Sequence, residues 1–198
     1  MKIAVVGKGN MGSSLAELAK KAGHQVSVGS RDPKQPVLNA VKGADIIILA
    51  VPYGEALALA DNKEVGKTIA GKVLIDITNP LAPDYMSLTV GHTTSAAEEI
   101  AKRLTGVKVV KAFNTIFADV LKSRLQGGKG SATVLVAGND EEAKKTVMSL
   151  VKSFGFDGAD AGNLSAARYT EPMAQLLIQL AYGKGKGTKI GWSLAAAG

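Results

Sequence analysis

Six residues near the start of the chain, Gly7-Lys8-Gly9-Asn10-Met11-Gly12, have the spacing G-x-G-x-x-G. The chemistry this pattern permits is the binding of a dinucleotide pyrophosphate. Each glycine has its own task. Gly7 allows a tight turn, Gly9 lets backbone approach the pyrophosphate, and Gly12 lets a helix pack close to a strand. Asn10 and Met11 open that helix, where unpaired N–H groups and a partial positive charge face the phosphates. A turn with no ligand can share the spacing, so context decides. Here the motif follows an apolar run directly, opens a helical pattern, and is followed by a second strand at β-α-β distance.

The end of that second strand separates two cofactors. A binder of NAD places Asp or Glu about 20 residues beyond the glycines, to accept from the ribose 2′-OH. This chain has Gly29-Ser30-Arg31-Asp32 instead. Ser30 can donate to a phosphate oxygen, Arg31 can pair with a 2′-phosphate and stack on adenine, and Lys34 adds charge. The residues therefore favour NADP(H). Asp32 stands one step late and is expected to cap the turn before Pro33. The plain alternative is that Arg31 only ends a strand at the surface.

Three further loops belong to the same edge, because ligands in open α/β sheets sit at the carboxyl ends of the strands. They are Ala50-Val51-Pro52-Tyr53, Thr78-Asn79-Pro80-Leu81 and Ala112-Phe113-Asn114-Thr115. Together they supply small residues, two Asn amides, hydroxyls and one aromatic ring. Apolar walls with a few polar groups suit a nicotinamide and a flat partner ring. Each loop alone reads as an ordinary turn, and Asn-Pro is a common turn dipeptide.

The elements that must position these groups alternate. Strands are expected at Lys2–Val6, Gln25–Gly29, Asp45–Val51, Val73–Ile77, Lys108–Ala112, Ala132–Ala137 and Phe156–Ala161. Helices are expected at Met11–Ala22, Tyr53–Val65, Ser95–Leu104, Ile116–Leu125, Asp140–Phe154 and Ala166–Ala181. Ser95-Ala96-Ala97-Glu98 has the form of a capping box. Such alternation implies an α/β, Rossmann-type, doubly wound parallel sheet with helices on both faces. We read residues 1–198 as a single dinucleotide-binding unit, with 127–198 as a smaller C-terminal α/β lobe. Gln126–Gly130 and Gly183–Gly187 read as irregular.

Composition sets the outer bounds. The chain has 198 residues, is 46% hydrophobic and 21% charged, and carries a formal net charge of +7. Such a length can bury a sizeable core in one domain. There is no cysteine, which removes disulfides, thiol nucleophiles and Cys-ligated metals and fits a reducing, cytoplasmic setting. The opening apolar run stops at Gly7, too short for a signal segment or a membrane span. Positive charge attracts phosphorylated cofactors and also nucleic acid, but the basic residues are scattered and aromatics make up only 5%. No nucleic-acid or membrane partner is expected.

The motifs together resemble the coenzyme F420-dependent NADP oxidoreductases, whose fold is shared by the reductase domain of the STEAP metalloreductases. The resemblance runs over almost the whole chain. It includes Gly7–Gly12, Gly29–Asp32, Leu49–Pro52, Asp76-Ile77-Thr78-Asn79-Pro80-Leu81, Lys111-Ala112-Phe113-Asn114-Thr115 and the Trp192 region. It implies hydride exchange between NADPH and a flavin or F420-like deazaflavin. It further implies the pyrophosphate at Gly9–Gly12, the 2′-phosphate at Ser30 and Arg31, nicotinamide contacts near Ala50–Pro52 and Asn79, and a homodimer. The interval from Arg31 to Asp45 departs from the family. It has room for one or two helical turns, so the sheet is expected to lack a strand on that side.

A hydride passing between two rings needs close stacking and little acid–base help. No catalytic side chain is singled out. His24 reads as a surface turn residue. His92, in the polar loop Gly91–Ser95, is within plausible reach of a substrate. Two histidines so spaced are not a metal site. Gly66-Lys67-Thr68 mimics the end of a P-loop, but that motif needs glycine where Asp61 stands. Asn163-Leu164-Ser165 is a glycosylation sequon without a secretory context. Two other functions remain open: a small carbonyl or imine reductase of the hydroxyacid dehydrogenase type, and a non-catalytic NADP(H) sensor. The apolar positions Met173, Leu176, Leu177 and Leu180 could serve a dimer interface or the core.

Overall fold

A computed structural model describes residues 1–196. Its seven-stranded sheet has the order β2-β1-β3-β4-β5-β6-β7. Five strands run parallel: β1 (Lys2–Val6), β2 (Gln25–Gly29), β3 (Ile46–Leu49), β4 (Val73–Asp76) and β5 (Lys108–Lys111). Their near-continuous aliphatic runs follow from being covered on both faces. Ile3, Val5, Ile46, Ile48, Ile75 and Val110 pack to one side with Leu15 and Leu18 of α1 (Asn10–Lys21) and with Val147 and Leu150 of α7 (Glu141–Ser153). Ala4, Val6, Ile47, Leu49, Leu74 and Val109 pack to the other. There they meet α2 (Val37–Lys42), α3 (Tyr53–Asp61), α4 (Lys63–Ile69) and α5 (Ala96–Arg103).

The interval after Arg31 holds only the six-residue α2, and β2 is the edge of the sheet, as the shortened sequence predicts. Gly29 makes this possible: a Cβ there would stand 2.9 Å from the Val37 backbone.

Two expectations are corrected. The sheet is mixed rather than wholly parallel. After α6 (Ala118–Leu125), β6 (Thr133–Gly138) runs antiparallel to β5, and β7 (Asp157–Gly162) runs parallel to β6. The register pairs Lys111 with Ala137 and Val110 with Gly138, so β6 enters from beyond the carboxyl end of β5. Periodicity records which faces are covered, not the direction of travel. The single helix expected over Tyr53–Val65 is two helices. Asn62 turns extended (φ −74°, ψ 107°), and its side chain accepts from the Glu64 and Val65 N–H groups to begin α4. A side chain that caps competes with helix continuation.

Ser95 and Asp140 cap α5 and α7 as their types suggest. The last long helix, α8 (Ala167–Ile178), ends in a wider turn over Gln179–Gly183. Its apolar positions divide: Leu177 joins the core, Met173 and Leu180 are half-buried, and Leu176 is exposed. Trp192 of the returning tail donates from Nε1 to the Met173 carbonyl, and its own carbonyl accepts from Thr133 of β6. Among the described residues, no helix is long and apolar enough to cross a membrane.

Candidate functional site

The carboxyl ends of β1, β2, β3 and β4 open onto one edge, and the glycine turn lies at its centre. Gly7 has φ +111°, and a Cβ on it would stand 2.1 Å from the Ala50 carbonyl oxygen. A Cβ on Gly12 would stand 2.1 Å from the Gly7 carbonyl oxygen. These two glycines let α1, the turn and β3 touch. Gly9 differs: a Cβ there would meet nothing within 4 Å. Gly9 is also the residue before α1, and no side chain caps that helix. Its N–H groups therefore face open space, the arrangement that accepts an anion.

Two cavities meet along this turn, sharing Gly9, Ala50, Val51 and Pro52. The first, about 510 Å³, lies beyond β2 and is rimmed by Lys8, Ser30, Arg31, Asp32 and Glu55 over a floor that includes Val37 and Leu59. The second, about 500 Å³, is central. Asn10, Met11, Tyr53, Thr78 and Asn79 line it from the strand ends, and Leu81, Pro83 and Tyr85 line it from the loop above. A third, about 230 Å³, lies behind Met11, Ile77 and Asn79, and is closed by Asn114, Thr115 and Leu177.

The first rim is charged on both sides. Lys8 Nζ lies 2.9 Å from Asp32 Oδ2, and Arg31 Nη1 lies 3.3 Å from Glu55 Oε1. Asp32 also accepts from the Lys34 N–H at 3.0 Å, the capping role expected of it, while its own N–H donates to Ser30 Oγ at 3.2 Å. The Lys8 hydrogen bond, then the Lys34 N–H, hold the Asp32 carboxyl below the usual aspartate range. Arg31 is 88% exposed at its side chain, so little fixes it in place. Lys8 and Glu55 went unnoticed in the sequence. The first is a variable position of the motif, and the second reaches the rim only because α3 begins beside it. Lys34 is exposed and lines none of these cavities.

Behind the central cavity lies a group the sequence did not single out. Lys111, at the end of β5, is fully buried. Its Nζ lies 2.8 Å from Asp76 Oδ2 and 2.8 Å from Glu171 Oε1, and it donates to the Thr78 carbonyl. Asp76 Oδ1 accepts from the Thr78 N–H at 2.9 Å. Both backbone polar groups of Thr78 are thus held by the cluster. Glu171, from α8, also accepts from the N–H groups of Ala96 and Ala97 at 2.9 and 3.2 Å, capping α5. Burial pulls the Lys111 ammonium down, but Asp76 and Glu171 together more than offset it, and its pKa stands above the usual lysine value.

Next to the cluster, Asn79 and Asn114 are cross-linked. Asn79 Nδ2 donates to the Asn114 carbonyl at 2.9 Å, and Asn114 Nδ2 donates to Asn79 Oδ1 at 3.1 Å and to the Thr170 carbonyl at 2.9 Å. Asn114 thus faces the third cavity rather than the central one, and Ala112 and Pro80 are buried behind the walls. Tyr53 opens α3 in the central cavity, where burial, then Glu99, push its phenol up, so it stays protonated at neutral pH. His92 is exposed and lines none of the three cavities. His24 sits half-buried at the other end of α1, where burial lowers its pKa. Among the described residues, no group of three or more His, Asp or Glu could hold a metal.

Five parallel strands within a mixed sheet, a glycine turn at the head of α1 and cavities along the strands' carboxyl edge define a dinucleotide-binding fold. The family model for coenzyme F420-dependent NADP oxidoreductases matches residues 2–37. The F420-dependent NADP reductase of Methanothermobacter marburgensis is 34% identical over 213 residues, covering 91% of this chain and 92% of that protein. The metalloreductase STEAP3 of Rattus norvegicus is 33% identical over 192 residues, covering 89% of this chain; the match takes in only 37% of STEAP3. A crystal structure from Arthrobacter sp. FB24, of a candidate F420-dependent NADP reductase, superposes with a TM-score of 0.87 at 32% identity, over 99% of this chain and 100% of that one. The chain belongs to the F420-dependent NADP reductase family, and is an NADP-dependent oxidoreductase.

Proposed function

We propose that this protein passes a hydride between NADP(H) and a flavin or deazaflavin ring of the F420 type. The observation that carries the reading is the pair of cavities joined at Gly9 and Ala50–Pro52, one with a cationic rim and one with apolar walls. Their ends match the two ends of a phosphorylated dinucleotide. Ser30 and Arg31, with Lys8 and Lys34 nearby, receive the 2′-phosphate. Gly7, Gly9 and Gly12 with the N–H groups of Asn10 and Met11 receive the pyrophosphate. Ala50, Val51, Pro52, Thr78 and Asn79 form the nicotinamide wall, and Pro80, Ala112 and Asn114 support it from behind. When bound, the cofactor supplies the hydride. The chain's own contribution is to orient two flat rings and exclude water between them.

Residues 1–198 act as a single NADP-binding unit, with 127–198 as its smaller lobe. The unit pairs as a homodimer in the cytoplasm, using the exposed apolar side of α8 around Leu176 and Tyr169. The scattered positive charge serves the phosphorylated cofactor rather than nucleic acid.

The test is anaerobic oxidation of NADPH, followed at the nicotinamide absorbance band, with F420, FMN, FAD and ferric chelates offered in parallel and NADH as control. Turnover with F420 or a flavin supports the reading. Turnover with ferric chelate alone moves the acceptor to a metal complex, in line with the name of the STEAP relatives. Tight NADPH binding with no turnover favours a carbonyl or imine reductase, or a sensor. Equal use of NADH overturns the roles of Ser30 and Arg31.

A further inference from the structure

The loop between β4 and α5 holds a strained tyrosine at the mouth of the central cavity. Tyr85 has φ +59°, a left-handed conformation that costs a bulky residue energy and persists only where neighbours enforce it. Here they do. The Tyr85 N–H donates to the Ala82 carbonyl at 2.9 Å, the Ala82 N–H to the Ser87 carbonyl at 2.9 Å, and the Met86 N–H to Asp84 Oδ1 at 2.9 Å. From α8 and its final turn, Gln175 Nε2 donates to the Tyr85 carbonyl at 3.2 Å and Gln179 Nε2 to the Met86 carbonyl at 3.3 Å. Gln175 and Gln179 stand four residues apart, so one face of the helix holds the backbone at Tyr85 and Met86.

All this fixing applies to the backbone. The Tyr85 residue stays 66% exposed while lining the cavity with Leu81 and Pro83, across from Gly9 and Pro52. A fold gains little by holding an aromatic ring in water on a strained backbone. A flat ligand would gain a stacking surface. We propose that Tyr85 is a specificity-determining residue, whose ring packs against the flat ring of the electron acceptor and selects aromatic acceptors over small carbonyl compounds. Gln175 and Gln179 are its positioning residues. This inference rests on the reading of the acceptor as flavin-like.

The experiment compares wild type, Tyr85→Leu and Tyr85→Phe, with F420 and FMN as probes. Three quantities are measured: NADPH affinity by nicotinamide fluorescence, steady-state KM and kcat for each acceptor, and acceptor affinity for the NADP+ complex from the acceptor's own absorbance. Tyr85→Leu is expected to keep NADPH affinity, showing that it folds, and to raise the acceptor KM and dissociation constant about tenfold, the scale of one aromatic contact. Its kcat should change less than twofold, and Tyr85→Phe should restore the acceptor affinity. An unchanged acceptor KM in Tyr85→Leu overturns the proposal and leaves the hydride-transfer reading intact. Equal loss in Tyr85→Phe overturns stacking in favour of the hydroxyl. If the wild type neither binds nor reduces either acceptor, the flavin-like reading falls first and this one with it.

Discussion

Replacing Lys111 by methionine removes one charge from the interior and leaves nearly the same volume. The native cluster has two carboxylates, Asp76 and Glu171, sharing one ammonium, with Lys111 and Asp76 at 0% and Glu171 at 1% exposure. After Lys111→Met, both carboxylates remain out of water with only backbone N–H groups to accept from. Breaking a buried pair in this way costs about 3–5 kcal/mol. For a chain of this size that lowers the Tm by roughly 6–20 °C. The loss must also depend on pH. Unpaired buried carboxylates acquire folded-state pKa values above their unfolded ones. Their penalty is therefore absent below about pH 4, where both states are protonated, and grows as pH rises through the folded values. In the wild type burial already holds the Glu171 carboxyl above the usual glutamate value, and Lys111 draws it back down, so the variant adds the loss of that pull. Lys111 itself is raised above its usual 10.5, so its contribution is complete below that value and is lost only at more alkaline pH. Urea unfolding followed by circular dichroism at pH 5 and pH 8 is the assay. The variant should lose clearly more stability, relative to wild type, at pH 8 than at pH 5. Glu171→Gln, which leaves one carboxylate for one ammonium, should cost less than Lys111→Met at pH 8. A Lys111→Met cost below about 1 kcal/mol at pH 8, or a cost that is flat with pH, would refute the argument that the ammonium balances two buried anions.

Other expectations follow from the rim and the turn. Gly9→Ala should fold with unchanged stability, since its Cβ meets nothing in the free protein, yet bind NADPH at least about tenfold more weakly in a fluorescence titration, because the methyl occupies the pyrophosphate approach. Gly12→Ala, whose Cβ would stand 2.1 Å from the Gly7 carbonyl oxygen, should instead lower the melting temperature measured without cofactor. Glu55→Gln frees Arg31 and should tighten NADPH binding about two- to threefold, the scale of an exposed ion pair, with no effect on NADH; titration calorimetry with both nucleotides checks this. The Glu99 carboxyl is held down to about 2 by hydrogen bonds from Lys102 and then Thr94. Its contribution to stability is complete above the ordinary glutamate value of 4.5 and falls away as pH drops toward 2. Acid unfolding of Glu99→Gln should therefore be shallower in that window than that of the wild type.

The parts of the fold that were legible in the sequence are those where burial on both sides leaves a local mark. Ile46–Leu49 is aliphatic without a break because alternate residues enter different cores, and the chain states this within four residues. The glycine turn was legible for a similar reason: Gly7 and Gly12 are required by contacts within a few residues and by one neighbouring strand. The direction of β6 was not legible, since alternation is the same whichever way a strand runs. The Lys111 cluster was hidden because its members lie 35 and 60 positions apart. A lysine at the end of a strand ordinarily reads as exposed. The available signal was that Asp76 and Lys111 both end strands expected to be covered on two faces, and they do pair in register. At the rim, Ser30, Arg31 and the capping role of Asp32 were visible from their types, while Lys8, Glu55 and the pairing of Asp32 with Lys8 required knowing which way side chains leave the turn.

The reach of Glu171 has a consequence for how the molecule is made. A chain leaves the ribosome N-terminus first, so the glycine turn, β1 to β5 and Lys111 emerge well before α8. Until residue 171 arrives, Lys111 has one carboxylate instead of two, the amides of Ala96 and Ala97 lack their acceptor, and the loop bearing Tyr85 has no mooring. The strands emerge early, but the Lys111 cluster and the hydrogen bonds to the Tyr85 loop are completed only by α8 and its final turn. The wall behind the central cavity is thus finished by residues that emerge 60 or more positions after Lys111.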